Sequence, residues 1–311
     1  LNVNLVLHDE LEQALADFIG KEAGLVFSTG MQTNLGTISS LVGRGEVVIT
    51  DREDHASIID GCRLSFGTMK RYRHNDLDHL EKTLQECHEQ AKLVVIDGVF
   101  SIGGDIAPLP GIVRLCQEYG ARLMVDDAHS LGVLANGRGT AAHFGLTEQT
   151  DLIMGTFSKS FASIGGVLVG DFEVIDYVKH NARAQIFSAS MPPAAVATVA
   201  ACLEIIKAEP ERTRRVLDIS ERMRQGYHSM GFETLGSETP IIPIFVGDDT
   251  KTFKLWRALF DAGIYVNPIV PPAVPHNQSL LRTSYMATHT DEQMDRVLDT
   301  FEEVGKSLEI I

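Results

Sequence analysis

DLIMGTFSKSFASIGGVLVG, residues 151–170, sets a lone lysine between two apolar runs. Leu152-Ile153-Met154 reads as a short strand that runs into Gly155-Thr156-Phe157-Ser158-Lys159-Ser160. A turn of small residues, Ala162-Ser163-Ile164-Gly165-Gly166, follows, and Val167-Leu168-Val169 leads away as a second strand. An isolated lysine is ordinarily a solvated surface charge. Here the apolar, glycine-rich flanks predict that the Lys159 ammonium is kept from bulk water. A partly desolvated lysine loses its proton more readily and can act as an amine nucleophile.

Upstream, apolar runs alternate with helical patterns. After an extended start, Leu11, Leu15 and Phe18 share one helical face, and Gly20 stops that helix. Ala23 to Ser28 is a buried strand that breaks at Thr29-Gly30-Met31 into a polar helix start. Such a turn presents backbone N–H groups as an anion site, although an ordinary βα turn reads the same way. Val47 to Thr50 is a strand leading to His55, a position where a histidine is usually structural or exposed. Residues 76–90 form an acidic amphipathic helix. Leu93 to Ile96 is a strand ending at Asp97-Gly98-Val99-Phe100-Ser101, and Pro110 to Tyr119 is a helix capped by Gly120. Arg122 to Val125 is a strand followed at once by Asp126-Asp127-Ala128-His129. This alternation implies an α/β fold with an open, mostly parallel sheet whose site lies along its carboxyl edge. His55, Asp97, Ser101, Asp126, His129 and Lys159 all fall at such ends.

Beyond Val169 the pattern changes. Phe172 to Ala184 reads as a helix, and Phe187 to Pro193 as a hydroxyl-rich turn. Pro193 opens a long helix to about Ala208, broken at Glu209-Pro210. Residues 211–230 form a charged helix. Ile241 to Val246, Ile264 to Val266 and Leu280 to Ser284 read as strands, with helices over Thr252 to Ala262 and Asp291 to Leu308. The expected division is a large domain over 1–208 and a smaller α+β domain over 209–311.

With 311 residues, 44% hydrophobic and 22% charged, the chain is that of a globular protein. The formal net charge of −15 argues against nucleic acid as a partner, since phosphate binding needs clustered Lys and Arg. Cys62, Cys87, Cys116 and Cys202 form no CxxC pair and keep no metal-ligand spacing, so they read as reduced thiols of a cytosolic protein. No apolar run approaches the ~18 residues of a membrane span, and no signal peptide is evident.

Asp126-Asp127-Ala128-His129 upstream of Thr156-Phe157-Ser158-Lys159 resembles the α-oxoamine synthases, which are fold-type I pyridoxal-phosphate (PLP) enzymes. The resemblance covers the whole chain and is carried by STGMQTN, DHASIIDG, DGVFSIGGD, VDDAHSLG, GTFSKS, FSASMPP and LLRTSYMATHT in that order. Family members usually begin some tens of residues earlier, so an N-terminal segment is expected to be missing. Ser158 and Ser160 beside the lysine are most similar to the members that condense L-serine with a long-chain acyl-CoA such as palmitoyl-CoA. Relatives making other amino ketones more often carry Gly and Ala there.

The resemblance implies that Lys159 holds PLP covalently and later acts as the base at the substrate Cα. It implies that Asp126 contacts the pyridine nitrogen. A solvated strand-end acid is the ordinary reading of Asp126, and Asp127 beside it permits that reading; the family register sets the ring contact three residues before His129. His129 is implied to bond the phenolic oxygen with Ser101 nearby, while His55 and Ala128 cover the two ring faces. Gly30, Met31 and Thr156 are implied for the phosphate, joined by Ser188 of the second subunit of a homodimer whose site lies at the interface. Asp97 has a supporting role. Arg282 is implied to bind the substrate carboxylate, because guanidinium and carboxylate pair in bidentate fashion. Some relatives carry a further arginine before the Pro-Pro of this region, where this chain reads Pro268-Ile269-Val270.

The implied reaction gives 3-ketosphinganine, CoA and CO2, the first step of sphingolipid synthesis. The alternatives are another α-oxoamine synthase (glycine C-acetyltransferase or 8-amino-7-oxononanoate synthase), an aminotransferase or aldolase of the same fold, and a non-catalytic partner subunit or inactive fragment. The expected setting is cytoplasmic, with visits to membrane surfaces for a lipid-like substrate and no stable membrane insertion.

Overall fold

The computed structural model describes residues 4–311, so the part of the expected extended start that falls on residues 1–3 lies outside the described residues. The chain divides into two compact units. The first comprises the residues up to Phe100 together with Ala107–Pro210, and the second Ser101–Ile106 together with Glu211–Ile311.

In the first unit the elements run α1 (Val6–Ile19), β1 (Ala23–Phe27), α2 (Gly30–Leu41), β2 (Val47–Asp51), α3 (Ala56–Leu64), β3 (Thr68–Tyr72), α4 (Leu77–Gln85) and β4 (Lys92–Asp97). They continue with α5 (Leu109–Glu118), β5 (Arg122–Asp126), α6 (Thr140–His143), β6 (Leu152–Thr156), β7 (Gly166–Gly170), α7 (Phe172–Asn181), α8 (Arg183–Ile186) and α9 (Pro193–Ala208). The α1 helix stops as expected. Gly20 takes the left-handed conformation at φ +94° and returns its N–H to Ala16 O.

The seven strands lie in the order β1-β7-β6-β5-β4-β2-β3. From β6 to β3 every neighbouring pair is parallel, while β7 runs antiparallel to both β6 and β1. This is the fold-type I, mostly parallel α/β architecture that the sequence implies. Strands β2, β4, β6 and β7 are buried along their whole length, because helices cover both faces. Alternation divides their side chains between two apolar layers. Ile49, Val94, Ile96, Val125, Ile153 and Val169 enter one layer, and Val48, Val95, Met124, Met154 and Leu168 enter the other.

Two readings of this unit need correction. Strand β3 was not expected, since Thr-Met-Lys-Arg-Tyr has no apolar run. It is an edge strand pairing only with β2, so most of its side chains stay partly in water. The helix expected over Phe172 to Ala184 is two helices, because Ala182 turns to an extended backbone (φ −72°, ψ 108°) with its methyl group buried in the core.

The second unit holds α10 (Glu211–Met230), β8 (Ile241–Gly247), α11 (Asp249–Asp261), β9 (Asn267–Ile269), β10 (Ser279–Ser284) and α12 (Asp291–Ser307). Its antiparallel sheet has the order β8-β10-β9. Ile264 and Val266, expected in a strand, supply buried side chains, but the paired backbone begins at Asn267. That strand is an edge, which tolerates Pro268. Segment Ser101–Ile106 is built into this unit: Gly104 O accepts from Thr239 Oγ1 at 2.7 Å and from Ser237 Oγ at 3.2 Å.

The rings of Tyr227, Phe232 and Phe301 meet edge-on in the core of the second unit, with centroids of Tyr227 and Phe301 4.9 Å apart. Phe301 is fully buried. Phe301→Ala is therefore expected to lower the unfolding free energy by about 3–5 kcal/mol, read from the shift in urea midpoint at unchanged m-value.

Candidate active site

The carboxyl edge of the parallel sheet gathers acids. Asp51 ends β2, Asp97 ends β4, Asp126 ends β5, and Asp54 and Asp127 follow within the next loops. All five are buried. Ionised carboxylates leave water at a high cost unless donors surround them. Backbone amides supply much of that compensation. Asp54 accepts from Asp51 N at 2.7 Å and from Asp97 N at 2.8 Å, and Asp97 accepts from His55 N at 2.8 Å. These bonds lace the β2–α3 loop onto the end of β4. Burial, then the neighbouring carboxylates, push Asp54 and Asp97 well above the usual carboxylate range, and the positive charge of Lys159 draws Asp97 back down.

Asp126 and Asp127 have different duties. Asp127 accepts from Ser130 Oγ and from Thr140 N at 2.9 Å, which closes the turn after β5. Asp126 accepts from Ala128 N at 2.9 Å and from Asn34 Nδ2 at 2.7 Å. Neither is a solvated strand-end acid. Ala128 and His129 follow, half-buried.

Lys159 is carried by the loop between the antiparallel strands β6 and β7. Phe157 and Phe161 are fully buried, with ring centroids 5.5 Å apart, and they anchor the loop on both sides of the lysine. Phe157 N bonds Gly165 O at 2.9 Å, and Ala162 N bonds Lys159 O at 3.0 Å. Ser160 Oγ donates to Leu131 O. The shielding expected of Lys159 is not a property of these flanks: in the single chain Lys159 is exposed. The phenylalanines take the interior positions, and the lysine is turned to the sheet edge, where Asp97 feels its charge.

The N-terminus of α2 lies beside this loop. The helix starts at Gly30, and Thr29 caps it by accepting from Gln32 N at 3.1 Å. A Cβ on Gly30 would stand 2.6 Å from Thr156 Oγ1, so only glycine permits this approach. Thr156 Oγ1 lies 3.1 Å from Ser158 Oγ. Met31 is exposed at this helix start. Ser188 is half-buried and accepts from Gln32 Nε2 of the same chain at 2.8 Å. A helix terminus with clustered hydroxyl groups has the donor chemistry of a phosphate site.

His55 caps α3, its ring accepting from Ser57 N at 3.2 Å. Ser57 Oγ lies 2.7 Å from His55 Nδ1 and accepts from Asn34 Nδ2 at 2.8 Å. Asn34, Ser57, Asp54 and Gln32 were not singled out in the sequence. Asn34 and Gln32 stand inside STGMQTN, and Asp54 and Ser57 flank His55, so proximity to those motifs was the available signal. In the second unit Arg282, half-buried on β10, donates from Nε to Ser101 O at 2.6 Å, which brings these two expected site residues together.

The residues of the first unit fit PLP. The close approach at Gly30 and the hydroxyl of Thr156 suit its phosphate, the oriented carboxylate of Asp126 suits its ring nitrogen, and the Lys159 amine suits its aldehyde.

Comparison with known proteins agrees. Residues 3–301 match the family described as aminotransferase class I and II. A serine palmitoyltransferase of Sphingobacterium spiritivorum is 52% identical over 312 residues, covering 100% of this chain and 78% of that protein. An 8-amino-7-oxononanoate synthase of Thermoanaerobacter pseudethanolicus is 43% identical over 311 residues, covering 99% and 79%. A solved serine palmitoyltransferase variant from S. paucimobilis with a bound PLP–myriocin aldimine superposes with a TM-score of 0.97 at 40% identity, covering 100% of this chain and 79% of that one.

Two outcomes are expected. Gly30→Ala should lower stability by about 1–3 kcal/mol through overpacking against Thr156 and weaken retention of PLP on dialysis. Burial pushes Asp127 up to about 6, against its bonds to Ser130 and Thr140. The folded chain therefore keeps that proton where the unfolded chain has lost it. The Asp127 contribution to stability falls as pH rises from about 4 to about 6 and is constant above. Asp127→Asn should remove this fall, as measured by urea midpoints across that range.

Proposed function

The chain belongs to the aminotransferase class I and II family and, within it, to the α-oxoamine synthases, and on that premise we propose that it condenses L-serine with a long-chain acyl-CoA. The products are 3-ketosphinganine, CoA and CO2. The observation that carries this reading is the placement of Lys159, Asp126 and His55 at the carboxyl ends of β6, β5 and β2 in one parallel sheet, in a chain 52% identical to a serine palmitoyltransferase.

PLP, when bound, supplies an electron sink for charge developing at the amino-acid Cα. Lys159 would hold it through Nζ and, as an amine at the sheet edge, would take the proton from the amino-acid Cα. Asp126 keeps a proton on the ring nitrogen, its carboxylate already turned by Asn34 and Ala128. His55 and Ala128 would cover the ring faces, and His129 would serve the phenolic oxygen. Gly30, Met31 and Thr156 hold the phosphate, joined by Ser188 of the second subunit in a homodimer with its site at the interface. Arg282 is assigned to the serine carboxylate, since guanidinium and carboxylate pair in bidentate fashion. Asp97 acts through His55, whose backbone N–H it accepts.

Among the described residues no helix is long and apolar enough to cross a membrane. We place the enzyme in the cytoplasm, visiting membrane surfaces for its acyl substrate. The second reading is 8-amino-7-oxononanoate synthesis, supported by the 43% identical relative; Ser158 and Ser160 beside the lysine favour serine as substrate.

The test is spectroscopic and then catalytic. With PLP the purified protein should show a visible absorbance band that L-serine perturbs more than glycine or alanine does, and palmitoyl-CoA should then release CoA. Lys159→Ala should abolish the covalently held band and reduce CoA release by at least ~10³-fold. Release of CoA from pimeloyl thioester with alanine, and none with serine, would overturn the assignment.

A further inference from the structure

A continuous hydrogen-bonded chain joins His55 to Asp126. Its members are His55 Nδ1, Ser57 Oγ, Asn34 Nδ2 and Asp126 Oδ2, with successive separations of 2.7, 2.8 and 2.7 Å. Ser57, Asn34 and Asp126 are buried, at 2%, 1% and 3% exposure, so water does not compete for these groups.

The direction of each bond follows from chemistry. An ionised carboxylate only accepts, so the group that Asn34 turns to Asp126 is its NH2. The same nitrogen faces Ser57 Oγ, and its two N–H bonds are thereby used, one on each oxygen. Turning the amide over would set its carbonyl oxygen against the carboxylate. Asn34 keeps this orientation even though its Oδ1 finds no partner among the described residues. Ser57 Oγ, having accepted from Asn34, has its single hydrogen left to give. His55 Nδ1 is the acceptor within reach.

A second donor converges on the same nitrogen. The backbone N–H of Ser57 points at His55 Nδ1, as the first turn of α3 requires. A backbone N–H cannot reverse its role. A proton on Nδ1 would stand against it, and would also oppose the hydroxyl hydrogen of Ser57.

We infer that Ser57 and Asn34 are positioning residues that lock His55 in one tautomer, with Nδ1 as acceptor and the ring proton on Nε2. The lock is built from the same amide that orients Asp126, so the state of the histidine and the orientation of the carboxylate are linked through Asn34. The tautomer is a property of this chain and does not depend on the proposed reaction. Its catalytic meaning, a histidine presented to PLP in one fixed hydrogen-bonding state, rests on the reading above.

The test is nitrogen NMR of protein carrying ring-labelled histidine, with and without PLP, and His55 assigned by the signal lost in His55→Gln. The expected result is an unprotonated Nδ1 and a protonated Nε2 in both forms. A protonated Nδ1 with an acceptor Nε2 would overturn the inference in wild-type protein, with no variant needed. The backbone N–H of Ser57, at 3.2 Å from Nδ1, is the weaker donor and the hydroxyl, at 2.7 Å, the stronger, so Ser57→Ala should give a mixture of the two tautomers, and Ser57→Thr, which keeps the hydroxyl, should restore the single one. Asn34→Ala should likewise release the Ser57 hydroxyl and mix the tautomers. A single Nε2–H tautomer persisting in both alanine variants would show that the helix cap alone sets it, which removes Ser57 Oγ and Asn34 from the assignment. Failure of the protein to bind PLP would sink the proposed function and leave the tautomer measurement standing by itself.

Discussion

Backbone N–H groups donated to buried carboxylates hold the working edge of this protein together. Parallel strands end at one level, and polar residues at their ends are forced close to one another. Asp54 bridges the ends of β2 and β4 by accepting from Asp51 N and Asp97 N, and Asp97 then accepts from His55 N. Without these donors the acids would repel and the loop carrying His55 would have no fixed position. Their cost appears in the raised proton affinities of Asp54 and Asp97. The positive charge of Lys159 offsets part of that cost at Asp97, so the acids and the amine stabilise one another.

The one reversal in strand direction on this side of the sheet has a comparable consequence. The β7 strand returns antiparallel to β6, so their connection is a tight loop at the carboxyl edge rather than a helical crossover. Phe157 and Phe161 bury their rings under that loop and leave Lys159 on its crest. Each ring contributes on the order of 2–3 kcal/mol of burial, enough to hold a short loop in one conformation. The precision of the amine is thus supplied by apolar packing, while its electrostatic environment comes from the neighbouring strand ends. In the second unit a comparable economy operates, since the bond from Arg282 to Ser101 O ties the carboxylate-binding candidate to the segment that follows β4.

Much of this was legible in the residues. Apolar runs ending in polar residues marked β2, β4, β5 and β6, and their alternation with helical patterns implied a parallel sheet with its site on one edge. Strand β3 was not legible, because an edge strand with one neighbour needs no apolar run. The break between α7 and α8 was hidden for a different reason: Ala182 carries no conformational signal, and its burial, set by tertiary packing, dictates its backbone. Asn34 and Ser57 could not be distinguished from ordinary polar residues of a helix. Their importance comes from partners 92 and 23 positions away in the chain.

By itself the sequence determined the fold class, through its alternating local patterns, and the family, through motifs in a set order, and it marked which strand ends carry polar residues. Only the tertiary structure decided how they are oriented. It set apart Asp126, held by Asn34, from Asp127, spent on the turn at Thr140. It showed Lys159 exposed on its loop in place of the shielding its neighbours implied. The physical reason is that hydrogen bonds and burial are relations between distant segments. A strand-end carboxylate is a solvated acid, a structural staple or a catalytic group according to which donors the rest of the fold brings to it.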